Sequence, residues 1–268
     1  MKLCRFQPLE FAIKDLGRSG NEPHAQILHG ILEGAFVYEL RGDFFETRDR
    51  TGRKWPADQV KFLPPVVPTK VVAVGRNYRE HVKEFNNPLP KEPAIFLKPP
   101  SSILAPEDPI ILPAISQRVE YEGELAVVIG KRCFHVGEGE DVTPYILGYT
   151  ALNDVTARDL QRSDLQWTRG KGFDTFCPFG PLLETEPPTS TTSVETRVNG
   201  AVKQSATVGD MIFPIDVIIR WITAVMTLEP GDVIATGTPG GVGPIAAGDV
   251  VEVSVSGIAT LRNPVSAS

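Results

Sequence analysis

The sequence predicts an α+β chain that is mostly β, and three observations carry that expectation. Short apolar runs such as Val71–Gly75 and Ala94–Lys98 stop abruptly at glycine or proline, as strands do. Twenty-four glycines and 24 prolines in 268 residues demand many turns. Only residues 210–226 keep a helical period, with Ile215, Ile218, Ile219, Ile222 and Met226 along one stripe. Strands do not alternate regularly with helices, so a βαβ series is not expected.

Taken in order, residues 2–6, 27–32 and 35–40 alternate over short lengths and read as a small β-meander. Turn-rich stretches at 17–23 and 41–43 separate them. Residues 63–70 form a Pro-punctuated connector, because proline cannot donate to a ladder and keeps its predecessor extended. That places a boundary near residue 65, giving a small β-rich domain (1–65) and a larger one (66–268). A piece this small is marginal alone and is expected to lean on its neighbour. Beyond it, residues 71–75 read as a strand, 77–85 as one or two helical turns, and 94–98 as a strand stopped by Pro99 and Pro100. Residues 119–130 read as one strand closed by glycine, 228–237 as a turn then a strand, and 249–257 as a further strand.

Charge and cysteine usage exclude several function classes. The net charge is −6 and no Lys/Arg run occurs, which argues against nucleic acid and anionic membrane as partners. Cys4, Cys133 and Cys177 are odd in number and widely spaced, which argues against a disulfide framework or a thiolate zinc site. The first residues lack the apolar core of a signal peptide, and no run approaches the ~20 apolar residues that span a bilayer. A cytoplasmic protein is the expectation.

The chemistry concentrates in a few acids. Glu122 and Glu124 sit two apart in a strand-like run, so their carboxylates share a face. Alone, such a pair is more often a solvated strand face. Here apolar residues flank it, and two adjacent carboxylates call for a cation between them. A hard divalent ion is the economical one, with Asp154 as the natural third oxygen ligand. Arg158 and Gln161 are three apart and would share a helical face, where both can bind a carboxylate or ketone. The glycine-rich turn after Thr236 lacks the ending of a phosphate loop and fits better as a turn offering the Thr238 hydroxyl and backbone N–H groups to a carboxylate. His81 and Glu84 would touch on a short helix, an arrangement that by itself is usually a surface pair. Lys171, between glycines, reads by itself as a solvated loop lysine.

Five stretches change those bets. VGRNYREH (74–81), FLKP (96–99), YEGEL (121–125), DVTARDLQ (154–161) and LEPGDVIATGTPGGVG (228–243) occur in order. Together they resemble the fumarylacetoacetate hydrolase family from about residue 70 to the end. The leading ~65 residues resemble the extra domain of some bacterial members described as acylpyruvate hydrolases, oxaloacetate decarboxylases or hydroxyheptadienedioate isomerases. The resemblance implies a mixed β-roll, commonly dimeric, that binds Mg²⁺ or Mn²⁺. It implies Glu122, Glu124 and Asp154 as ligands, His81 and Glu84 as a base dyad on a lid, and Lys171 as a partner of the substrate. The expected activity is C–C bond cleavage of small 2-oxo acids through a metal-stabilised enolate. Acylpyruvate hydrolysis comes first, then oxaloacetate decarboxylation. The alternative is a hydroxyheptadienedioate isomerase, or a related decarboxylase of aromatic catabolism. A non-catalytic, metal-stabilised binding module is the reading from another class.

Overall fold

The computed structural model describes residues 1–9 and 26–268. The turn-rich stretch at 17–23 lies outside the described residues. The chain opens as the meander its alternation predicts: β1 (Lys2–Pro8), β2 (Leu28–Glu33) and β3 (Phe36–Leu40). Two further strands follow, β4 (Arg50–Pro56) and β5 (Val60–Leu63). Strand β4 is a charged outer strand whose residues are largely exposed, so no apolar alternation marks it in the sequence.

The larger part begins with β6 (Val71–Gly75), a short helix α1 (Arg79–Glu84) and β7 (Ala94–Lys98). Two short strands, β8 (Ile103–Leu104) and β9 (Ile110–Leu112), lead to β10 (Val119–Tyr121) and β11 (Gly123–Ile129). After β12 (Ile146–Asn153) and β13 (Thr156–Ala157) come two small helices, α2 (Arg158–Ser163) and α3 (Thr168–Lys171). Strands β14 (Cys177–Glu184), β15 (Ser193–Val198) and β16 (Ala201–Thr207) precede helix α4 (Ile215–Thr223). The chain finishes with β17 (Val233–Ala235), β18 (Gly243–Pro244), β19 (Val250–Val255) and β20 (Ala259–Ala267).

The main sheet runs β4-β3-β2-β1-β14-β12-β11-β17-β6-β7, with β5 also on β1 and β8 also on β14. The meander is therefore an extension of that sheet, joined where Lys2 and Leu3 pair with Glu184 and Leu183. A five-stranded sheet, β16-β15-β19-β20-β9, packs against it, and a small third sheet, β13-β10-β18, sits beside the two. Strand β11 is buried on both faces, which is why residues 125–129 read as an unbroken apolar run. Leu125, Val127 and Ile129 join a core shared with Val253, Val255, Leu261 and α4. Ala126 and Val128 face the opposite cluster, with Leu152, Phe179, Val71 and Ala73. This mostly-β, mixed architecture is the expected fold class.

Two expectations need correction. The single strand over residues 119–130 is two strands in two sheets, broken at Glu122. Side chains take over the ladder there: Glu122 N–H donates to Asn153 Oδ1 (2.9 Å), and Gly123 N–H to Gln204 Oε1 (2.9 Å). A Cβ on Gly123 would lie 1.9 Å from Thr196 Oγ1, so the crossing strands admit only glycine at the switch. The helix over 210–226 is shorter than its apolar stripe. Pro214 caps it at the start and it ends at Thr223, with a separate 3₁₀ turn at Val208–Asp210.

Candidate active site

Strand register brings the three acids together. Strands β11 and β12 pair antiparallel with Gly123 opposite Asn153, which sets Glu122 against Asp154, one step past each strand end. Asp154 N–H donates to the Glu122 carbonyl (2.8 Å) and locks that step. Glu122, Glu124 and Asp154 each offer a carboxylate oxygen within 4.8 Å of the others, and all three are buried. Glu122 and Glu124 thus come together as their i, i+2 spacing predicts, although the strand is interrupted at Glu122.

Two buried lysines and an arginine face this cluster. Lys171 Nζ donates to Glu122 Oε2 (2.7 Å) and also to Asp154 Oδ2. Lys98 Nζ donates to Asp154 Oδ1 (2.6 Å) and to the Lys171 carbonyl (2.6 Å). Arg158 donates from Nε to Glu120 (2.6 Å), and from its two terminal nitrogens to Glu122 and Gln161. Burial would raise the Glu122 carboxyl, but Lys171 and Arg158 overcome it and hold that group well below the usual carboxylate range. Burial likewise opposes charge on Lys171, and Asp154 with Glu122 push its ammonium back above the usual range.

Glu124 is the exception. Its Oε2 accepts the Gly237 N–H (2.7 Å), and no cationic side chain donates to it among the described residues. Burial, then the neighbouring Asp154 and Glu122, push its carboxyl well above the ordinary value. A buried carboxylate beside two others, with one backbone partner, is where a divalent cation relieves the most strain. The donor set is all hard oxygen, which fits Mg²⁺, Mn²⁺ or Ca²⁺ and fits zinc poorly.

The acids line the floor of a cleft of about 260 Å³. His81, Arg158, Gln161, Lys171 and Thr238 line it too, so eight of the nine residues singled out from sequence meet there; Glu84 stands outside the lining. His81 on α1 is buried, and its Nδ1 lies 3.5 Å from Glu84 Oε2, too poorly aligned to count as a hydrogen bond. Burial lowers the imidazole's pKa, with Glu122 working against that and Arg158 adding to it. Glu84 Oε2 accepts the Gly241 N–H (3.2 Å), which ties α1 to the glycine turn.

Several readings of single residues change. Lys171 is no solvated loop lysine; it ends α3 and is 2% exposed. The Thr238 hydroxyl is spent on structure, donating to the Gly123 carbonyl (3.0 Å) and accepting from Gln204 (2.8 Å). The N–H groups of the glycine turn hold Glu124 and Glu84. Gly237 adopts φ +103°, and a Cβ there would meet Asn77 at 2.6 Å, so the turn and the strand it faces close on each other. Lys98, Asn77, Gln204 and Glu120 support the site and went unassigned from sequence. Lys98 left one signal, a lysine in an apolar strand. The others reach the site through contacts distant in the chain: Glu120 to Arg158, Asn77 to Thr236, Gln204 to Gly123. Phe85, Phe96 and Trp167 form the apolar walls.

Three comparisons accord with this geometry. Residues 70–266 match the family model described as "Fumarylacetoacetate (FAA) hydrolase C-terminal", and residues 22–65 match "Rv2993c-like, N-terminal". An uncharacterized protein of Archaeoglobus fulgidus is 51% identical over 87% of this chain and 91% of its own length. Human mitochondrial oxaloacetate tautomerase FAHD2A is 48% identical over 70% of this chain and 62% of its own. A crystal structure of 5-carboxymethyl-2-hydroxymuconate delta-isomerase from Mycobacterium smegmatis superposes with TM-score 0.88 over the whole of both chains, at 43% identity. Among the described residues, no helix is long and apolar enough to cross a membrane.

Proposed function

The chain belongs to the fumarylacetoacetate hydrolase family, and from that premise we propose that it is a Mg²⁺- or Mn²⁺-dependent enzyme cleaving C–C bonds of small 2-oxo acids. The observation that carries the reading is Glu124, buried against Glu122 and Asp154 without a cationic partner of its own. These three residues would hold the ion. Bound there, it supplies Lewis acidity to the substrate's 2-oxo group and offsets the charge of the departing enolate.

The protein's own groups do the rest. Arg158 holds Glu122 and the Gln161 carbonyl oxygen at the cleft, and the Gln161 amide N–H, without a partner among the described residues, binds a substrate carboxylate. Lys171 adds a fixed positive charge next to the developing negative one. His81, kept neutral by burial, takes a proton from water, and Glu84 at 3.5 Å steadies the imidazolium. Phe85, Phe96 and Trp167 limit competing water. Thr238 serves as a brace that holds the glycine turn against Gly123. A homodimer working in the cytoplasm completes the proposal; the three cysteines, all free and buried, are in keeping with a reducing compartment.

The test is purified protein with acetylpyruvate and oxaloacetate, in Mg²⁺, in Mn²⁺ and in EDTA. Metal-dependent loss of either substrate supports the reading. Metal binding without turnover of any oxo acid points instead to a binding module. A second reading, isomerase or tautomerase, draws on the activities carried in the names of the human and Mycobacterium smegmatis relatives. It needs only His81 as a proton shuttle and no water. Enol–keto exchange of oxaloacetate faster than either cleavage would favour it.

A further inference from the structure

Helix α1 borders two cavities. His81 lines the cleft, whereas Tyr78, Arg79 and Glu80 line a separate cavity of about 450 Å³. Gly240 of the glycine turn closes it on one side, and Ser205 of β16 with Asp210 on the other. That volume is in the range of small-molecule sites. The walls are pinned. Tyr78 forms a β-bridge with Met211, and the Asn77 carbonyl accepts the Ile212 N–H (2.8 Å). A Cβ on Gly240 would lie 3.2 Å from that of Glu80, so the turn rests on the helix.

Two donors in this cavity lack a partner. Tyr78 is 2% exposed, yet its hydroxyl makes no hydrogen bond. Buried polar groups are nearly always paired, and one left alone weakens the fold. Burial, with Glu124 and then Asp210 adding to it, holds the phenol well above its ordinary pKa, so it stays a neutral donor. The Arg79 side chain has neither an ion pair nor a hydrogen bond among the described residues. The two acids on the walls are already engaged. Glu80 accepts from Lys83 Nζ (2.6 Å), and Asp210 Oδ2 accepts the Thr207 N–H and hydroxyl (2.8 Å each). What remains for a ligand is a guanidinium and a phenol, the groups that take an anion.

We propose that this cavity is a second binding site, separate from the cleft, for a small organic anion whose carboxylate or phosphate is held by Arg79 and Tyr78. Arg79 stands two residues before His81 on α1, and Gly240 stands one before Gly241, whose N–H holds Glu84. An occupant is therefore felt at His81 through the helix and the turn. The inference does not depend on the reaction proposed above, since neither Arg79 nor Tyr78 lines the cleft.

Three probes with one carbon skeleton test it: glycerol 3-phosphate, glycerate and uncharged glycerol, each titrated into the metal-free chain by calorimetry. One or both anions should bind, about tenfold or more tighter than glycerol. Which of them binds distinguishes phosphate from carboxylate. Arg79→Gln should weaken that binding by about tenfold or more, and Tyr78→Phe severalfold. Tyr78→Phe should at the same time keep or raise the thermal midpoint, because it removes an unpaired buried hydroxyl. A lower midpoint with unchanged anion affinity would make Tyr78 structural and overturn its role. In ¹⁵N-histidine NMR spectra the bound anion should shift the His81 imidazole signal, and Arg79→Gln should abolish the shift. A bound anion that leaves that signal in place would overturn the link to the cleft. Binding of neither anion, glycerol binding as tightly as either, or an affinity unchanged in Arg79→Gln would overturn the site itself.

Discussion

The floor of the cleft and the helix over it are built on opposite principles. On the floor, Lys98, Lys171 and Arg158 reach Glu122 and Asp154 through a closed set of contacts, and every one of these side chains is buried. Above it, α1 spans six residues, lacks a side-chain cap, and leaves the buried His81 Nδ1 without a hydrogen bond. Its Glu84 makes a single contact to the glycine turn. The floor is held by many contacts, as suits the proposed ligands; the helix ties down His81 with few, as suits the proton carrier proposed for it.

The largest test strikes the floor. Glu122→Ala should abolish metal binding and all turnover. Leaving Arg158 and Lys171 short of a buried partner should cost about 3–5 kcal/mol of stability. Mn²⁺ titration and thermal unfolding read both, and a variant that still binds Mn²⁺ would place the ion elsewhere. Next comes the helix. His81→Ala should slow hydrolysis by about 10²–10⁴-fold while affecting decarboxylation less, because only hydrolysis needs an activated water. Equal loss of the two activities, measured side by side, would erase the distinction between the regions. Glu84→Gln should have a smaller effect, about tenfold on hydrolysis, with metal affinity preserved.

The smallest effect is a pH dependence. The folded pKa of His81 lies below its unfolded value near 6.5, so the unfolded chain binds more protons at mildly acidic pH. The stability from His81 is therefore fully present above about 6.5 and is lost as pH falls through the folded value. Unfolding at graded pH should show this acid-side loss in the natural chain and a weaker one in His81→Ala. A pH profile identical in both would mean that burial does not disfavour the charged imidazole in the folded chain.

The sequence was informative where chemistry is local. Strands β6, β7 and β19 follow from apolar runs with glycine or proline at their ends. The Glu122–Glu124 spacing and the i, i+3 step from Arg158 to Gln161 are local as well, and both survive in the structure. What it hid is set at a distance. One partner of Asp154 is Lys98, 56 residues earlier, and the support of Gly123 is Gln204, 81 residues later. Strand β4 hid for another reason, since a charged outer strand has no inward alternation to show. The break at Glu122 is likewise a product of two sheets meeting.

That break has a practical reach. Because Thr196 occupies the space a side chain at 123 would need, the hinge between Glu122 and Glu124 cannot be decorated one mutation at a time. Anyone reshaping the acid cluster would have to recast strand β15 first, so the route to new chemistry here begins on the wall behind the acids.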